Sequence, residues 1–240
     1  MAFHKALLWD GQNHLGLHGL KDLGSRRIIV YMLPFWQKKG GLQMLSFRTI
    51  VPDTLELLKR LSQESFLKDC RLVGGTALAL QYGHRSSVDL DFFGAFDIDG
   101  DEMFEILKSY GNVEKQKNST NIRIFDINGV KVDIVNYSIY PWLENPVEEN
   151  GLRLASPKDI AAMKINAIEG RGSRKDFVDM YYLLQHFSME EILDFYARKY
   201  PNYSVYRALM SLTYFVDAEK LDMPTMFIDF DWVQCKSFII

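Results

Sequence analysis

The sequence predicts an α+β fold, with an N-terminal lobe built on a mixed β-sheet and flanking helices and a C-terminal helical lobe. Three observations predict it. Between Asp53 and Tyr137, stretches of helical period alternate with short apolar strands. Beyond Pro157 the apolar residues recur at helical spacing only. The stretch from Pro141 to Asn150 reads as the boundary between the two, with no internal repeat or low-complexity linker elsewhere.

In order, a helix is expected from about Asp53 to Glu64, a strand over Arg71 to Val73, and a helix from the Gly74–Gly75 turn to about Tyr82. A strand carrying Asp89 and Asp91 follows, with Val88, Phe92 and Phe93 marking it as buried. Asp97, Asp99 and Asp101 lack the ligand spacing of a calcium loop and are expected to cap a helix near 102–110. Strands near 112–118, 121–127 and 130–137 come next, the last two joined by an Asn128–Gly129 hairpin turn. Ser156, Pro157 and Asp159 form a helix start, and helices are expected over 157–169, 174–186, 189–199 and 203–217.

The chain of 240 residues is 48% hydrophobic and 25% charged, the composition of an ordinary globular protein. Two isolated cysteines, Cys70 and Cys235, exclude a disulfide framework and a cysteine-rich zinc site, and a cytoplasmic setting with no membrane partner is expected. A net charge of −3 does not mark a general nucleic-acid binder. Positive charge is instead clustered at Lys158, Lys164, Arg171, Arg174 and Lys175. Residues 1–43 are Gly-rich and weakly periodic, with one short apolar run broken by Pro34. They are expected to be a non-native or disordered leader, with Met44 as initiator, an α/β lobe over 44–145 and a helical lobe over 146–240. Lys39-Gly40-Gly41 is what a ribosome-binding sequence upstream of Met44 would encode.

The chemistry is concentrated in Val73–Phe93. Side chains alternate faces along a strand, so Asp89 and Asp91 project to one side. Paired carboxylates repel unless a cation lies between them, and an all-oxygen donor set suits Mg²⁺. Asp133, in the apolar strand Lys131–Asn136, is expected beside them as a third metal ligand and as the base that takes a proton from an acceptor hydroxyl. Gly74 and Gly75 allow close backbone approach to a triphosphate, and the following helix start with the Thr76 hydroxyl would bind its oxygens. Arg85 is expected either to reach the triphosphate or to hold its loop by pairing with a carboxylate, and His84 is a candidate of the same kind. Lys164 falls in an apolar helix stripe, which places it against a polar cavity or snorkelling outward. Asp176 is open between capping its helix and serving the site.

Two glycines, about a dozen residues, Asp-x-Asp and a later strand Asp resemble the DNA polymerase β-like nucleotidyltransferase superfamily. Within it, Gly-Gly-Thr-Ala-Leu-Ala-Leu through Gly-His-Arg-Ser-Ser-Val-Asp-Leu-Asp-Phe-Phe is similar to the AbiEii/AbiGii toxin family, which includes the MenT-type toxins. A second stretch agrees: Asp159, Lys164, then Asp176 and Asp179 match the family's Asp-then-Lys and Asp-x-x-Asp motifs, with four residues between Asp159 and Lys164 where the motif has three. The likeness runs from about Met44 to the C-terminus.

The resemblance implies a Mg²⁺-dependent nucleotidyltransferase that moves NMP from NTP to an acceptor hydroxyl and releases pyrophosphate. Asp89, Asp91, Asp133, Lys164 and Asp176 would be its catalytic residues, and Gly74, Gly75, Thr76, Arg85, Lys164 and Lys175 would bind nucleotide. It further implies a toxin of a toxin–antitoxin or phage-defence system, a tRNA acceptor and a cognate antitoxin. Alternative expectations are the same chemistry on a small molecule or protein, and a catalytically silent nucleotide-binding module.

Overall fold

A computed structural model describes residues 45–240, so the leader expected over residues 1–43 and the initiator at Met44 lie outside the described residues. Among the described residues, strands β1 (Cys70–Leu72), β2 (Leu90–Gly94), β3 (Val113–Asn118), β4 (Ile122–Ile127), β5 (Val130–Asn136), β6 (Val147–Glu149) and β7 (Leu152–Leu154) form one mixed sheet. Its order is β3-β4-β5-β2-β1-β7-β6. β2 runs parallel to β5 and β1 parallel to β7, and the other neighbours are antiparallel.

The strands follow from their alternation. In β5, Val132 and Ile134 are fully buried while Lys131 and Asp133 share the opposite face. The β4–β5 turn has positive φ at Asn128 (53°) and Gly129 (83°), the primed turn whose twist suits a two-residue hairpin. In β2, Leu90 and Phe92 are buried, but Val88 lies outside the strand and is 54% exposed. Val88 therefore does not mark buried strand as expected.

Helices α1 (Pro52–Leu61), α2 (Gly74–Tyr82) and α3 (Gly100–Leu107) flank the N-terminal strands. Asp99 caps α3 by accepting from the Asp101 and Glu102 amides, the role expected for that acidic run. α2 buries Thr76 through Gln81 without a polar face because the sheet and two later helices, α4 (Pro157–Gly170) and α5 (Arg174–Leu183), enclose it.

Three differences from expectation lie further on. The sheet crosses the expected lobe boundary at 145: β7 joins β1 in parallel, and β6 turns back on β7 with Arg153 Nε 3.1 Å from Glu148 Oε1. Three-residue strands carry too little sequence to show a period, and the helical half begins at Pro157 instead of 146. After α6 (Met189–Lys199), the helix expected over 203–217 is reduced to α7 (Val205–Ser211). Ser211 and Thr213 turn their hydroxyls back onto the Ala208 and Met210 carbonyls, and the aromatic and β-branched run Thr213–Val216 is poor helix former. A last helix, α8 (Trp232–Ile239), not foreseen, is capped by Asp231 and buries Cys235 and Ile239.

A buried ion pair ties the helical half to the connection at Pro141–Glu144. Asp159 accepts from Lys199 Nζ at 2.8 Å, Ser156 Oγ at 2.7 Å and the Leu143 amide at 2.9 Å, and is wholly buried. Lys199 also donates to the Pro141 carbonyl and lies 4.4 Å from the centre of the Trp142 ring. Asp159, a motif residue by sequence, thus anchors the connection at Pro141–Glu144.

Candidate active site

The glycine turn and the acidic strand meet. The Val73 amide donates to the Asp91 carbonyl at 2.8 Å, and Gly74 opens α2 with φ +69°. A Cβ on Gly74 would stand 2.5 Å from Asp91 Oδ2, so only glycine brings the helix start this close to the carboxylate. No side chain caps the N-terminus of α2, which leaves its first amides to an anion. Thr76, expected to bind phosphate oxygens, is buried, and its hydroxyl is engaged by Ser87 Oγ at 2.8 Å and the Asp89 carbonyl. That hydroxyl fixes the turn before β2 and is withdrawn from a ligand.

Asp91 and Asp133 are direct register partners on the parallel strands β2 and β5, so their side chains share a face. Burial first, then the neighbouring Asp133, pushes the Asp91 carboxyl up to about 6 against the opposing pull of Lys131. Lys131 Nζ lies 2.6 Å from Asp133 Oδ2, whereas Asp133 Oδ1 is buried without a hydrogen-bond partner. Asp89 Oδ2 is 3.4 Å from Lys175 Nζ. Asp89 also adds its charge to the field on Asp91, so the three expected carboxylates act on one another, although among the described residues no three His, Cys, Asp or Glu side chains form a ready-made metal cluster. Asp91 and Asp133, with one orphaned oxygen on Asp133, fit a hard cation that takes one or two carboxylates and completes its shell from water and phosphate.

Behind this pair lies a buried charge cluster centred on α5. Asp179 receives Arg85 Nε and Nη2, each at 2.7 Å, His84 Nε2 at 2.8 Å and Lys164 Nζ at 2.6 Å. Asp176 receives Lys164 Nζ at 3.0 Å, Arg171 Nε at 2.8 Å and Ser173 Oγ at 2.5 Å. Although burial opposes it, Arg85 and Lys164 hold Asp179 well below the usual carboxylate range, and Lys164 with Arg171 does the same for Asp176. Lys164 stays protonated against its burial because Asp179 and Asp176 flank it. Burial lowers the His84 pKa, so the ring is neutral and donates through Nε2, leaving Nδ1 without a partner.

This arrangement decides the two alternatives for Arg85. Its guanidinium is spent on Asp179 and the Ser86 carbonyl, and it packs under the turn so closely that a Cβ on Gly75 would meet Nη2 at 2.2 Å. It holds the loop. Asp176, expected in the catalytic set, is a wholly buried counter-ion for Lys164 and Arg171. Asp179, part of the motif but given no role by sequence reading, is the hub, and its spacing of three from Asp176 on a helix was the available signal. A segment near the C-terminus closes the cluster from outside: the Phe227 amide donates to the His84 carbonyl at 2.9 Å and the Ser86 amide to the Thr225 carbonyl at 2.8 Å, making a bridge between Arg85 and Met226.

Beside Asp91, a cavity of about 180 Å³ runs from Gly74, Lys164 and Arg171 toward Phe93, Tyr137 and Tyr200. Its tyrosines were not foreseen as site residues, because Tyr200 lies far along the chain on the end of α6.

The profile of one known family, described as the AbiEii nucleotidyl transferase toxin of a type IV toxin–antitoxin system, matches residues 56–220. The chain belongs to the AbiEii family. An uncharacterized protein of Aquifex aeolicus is 35% identical over 180 residues, covering 72% of this chain and 86% of that relative. Among solved structures, JHP933 of Helicobacter pylori is 20% identical with a TM-score of 0.47, covering 79% of this chain and 90% of its own. MenT4, a nucleotidyltransferase toxin of Mycobacterium tuberculosis, is 13% identical with a TM-score of 0.42, covering 78% of each chain. As an AbiEii member the protein is a nucleotidyltransferase, an enzyme that transfers NMP from NTP. Among the described residues no helix is long and apolar enough to cross a membrane.

Proposed function

We propose that this AbiEii enzyme transfers NMP from an NTP to a hydroxyl of tRNA, with Mg²⁺ bound at Asp91 and Asp133, as the toxin of a phage-defence pair restrained by a cognate antitoxin in the cytoplasm. The observation that carries the chemistry is the register pairing of Asp91 with Asp133 beside the uncapped glycine start of α2. When bound there, Mg²⁺ would neutralise phosphate charge and favour in-line displacement at the α-phosphate.

The chain's own residues do the rest. Gly74 and Gly75 admit the phosphates to the helix amides, and Lys164 supplies a fixed positive charge between Asp176 and Asp179. Asp133, whose Oδ1 is unpartnered, accepts the proton of the attacking hydroxyl. Asp89 and Lys175 flank the pair, and the half-exposed Lys131 and Lys175 with the exposed Arg171 suit a polyanionic acceptor.

The test is incubation with each of four α-labelled NTPs, Mg²⁺ and total RNA, with protein and aminoglycoside acceptors offered separately. Label in the tRNA band, absent with Asp91→Asn, is the expected result. Label entering only protein or the small molecule would overturn the tRNA assignment.

A further inference from the structure

We propose that the cavity beside Asp91 is the nucleoside pocket of this enzyme, with Phe93, Tyr137 and Tyr200 forming its base-binding wall and Asn166 reading the edge of the base. The proposal rests on the nucleotidyltransfer reading and adds the part of the substrate that sets specificity. One cavity carries two chemistries. Gly74, Asp91, Lys164 and Arg171 line a charged end, and Phe93, Tyr137, Tyr200 and Met163 line an aromatic and apolar end. A ligand that fills both must be anionic at one end and flat and apolar at the other, which describes a nucleotide.

The spacing follows from the strand. Phe93 is two residues beyond Asp91 on the same face of β2, about 7 Å away, one sugar's reach from a phosphate held near Asp91. Phe93 and Tyr137 have ring centroids 5.2 Å apart. The Tyr137 and Tyr200 hydroxyls share a hydrogen bond of 2.5 Å, and both residues are buried. The wall's rings are thus held by contacts with one another, a platform of the kind on which bases stack.

On the facing side, Met163, Asn166 and Ala167 lie at i, i+3 and i+4 of α4, one stripe along the helix that carries Lys164. No hydrogen bond ties the Asn166 amide to another described residue. A carboxamide that lines a cavity with both its donor and its acceptor uncommitted is suited to pair with the polar edge of a base.

The test compares binding of NTPs and of inorganic tripolyphosphate, both with Mg²⁺, by titration calorimetry. Met163→Trp, which fills the apolar end, and Asn166→Ala should each weaken NTP binding about tenfold, the scale of losing a base contact, and leave tripolyphosphate binding unchanged. Asn166→Asp removes the donor and keeps acceptors, so the rank order of the four NTPs should move toward GTP, whose base edge offers paired donors. Asn166 is half-buried and untied, so its variants serve if Met163→Trp fails to fold. Wild-type affinity retained for NTP in both Asn166 variants, with unchanged base preference, overturns the pocket while leaving the transferase reading intact. Failure of the wild-type chain to bind either NTP or tripolyphosphate would instead overturn that reading.

Discussion

Arg85 grips Asp179 through two parallel hydrogen bonds, Nε to Oδ1 and Nη2 to Oδ2, each 2.7 Å long, in the interior of the protein. Truncating Asp179 would leave Arg85 and Lys164 buried with too little negative charge. Asp179→Ala is therefore expected to cost about 3–5 kcal/mol, measured as a lower urea midpoint at unchanged slope. Arg85→Lys should also destabilise, because an ammonium cannot make the fork. A midpoint for Asp179→Ala within error of wild type would contradict this.

The same cluster sets the acid limit of the fold. Asp176 and Asp179 are held below their ordinary values, so folding favours their ionised forms. The stability this contributes is complete above the unfolded value near pH 4 and is lost as pH falls through the lower folded values. Unfolding followed by circular dichroism should show stability falling steeply between about pH 4 and pH 2, with a shallower fall in Asp176→Asn.

Asp91 has the opposite sign. Its folded value is raised to about 6, so folding favours the protonated form, and that contribution is lost as pH rises from the unfolded value through about 6. Asp91→Asn should abolish transfer yet raise stability at pH 8 in chelated buffer by on the order of 1–3 kcal/mol. Added Mg²⁺ should raise the wild-type Tm and leave the Tm of Asp91→Asn unmoved. A variant melting below wild type at pH 8 would be the wrong outcome.

Gly74 and Gly129 both have positive φ but differ in surroundings. Gly74→Ala meets Asp91 Oδ2 and should lose transfer at least tenfold, whereas Gly129 faces open space and Gly129→Ala should cost only the strain of about 1–2 kcal/mol with activity kept. Labelled-NTP transfer by the two variants at matched folded fraction distinguishes them.

Lys199 and Asp159 offer a test of the buried pair that anchors the 141–144 connection. Either single change, Asp159→Leu or Lys199→Met, strands a buried charge and should cost about 3–5 kcal/mol, while the double variant should recover much of the loss. A double-mutant cycle by urea unfolding reads the coupling.

What the sequence makes legible is what repeats over a few turns. The alternation in Lys131–Asn136 and the Ser156–Pro157 start of α4 were both foreseen and both hold. The Asp91–Asp133 pairing was expected from two strand patterns, but the pull of Lys131 on Asp133 and of Lys175 on Asp89 was not, because which counter-ion a carboxylate finds depends on tertiary neighbours. For the same reason Thr76 reads as ligand-facing in sequence and Arg85 stays open between a ligand and a carboxylate partner. Their real partners, Asp179 and the Asp89 carbonyl, are set by how helices lie on the sheet. β6 and β7 escaped notice because three residues hold no period, and Tyr200 because nothing local ties it to Asp91.

The bridge between Arg85 and Met226 bears on when this enzyme becomes competent. A growing polypeptide presents the glycine bend and both strand acids long before residues 225–227 emerge to clasp them. The charges of the cluster are all supplied by the time Asp179 has emerged, and the backbone bridge to residues 225–227 is added to them afterwards.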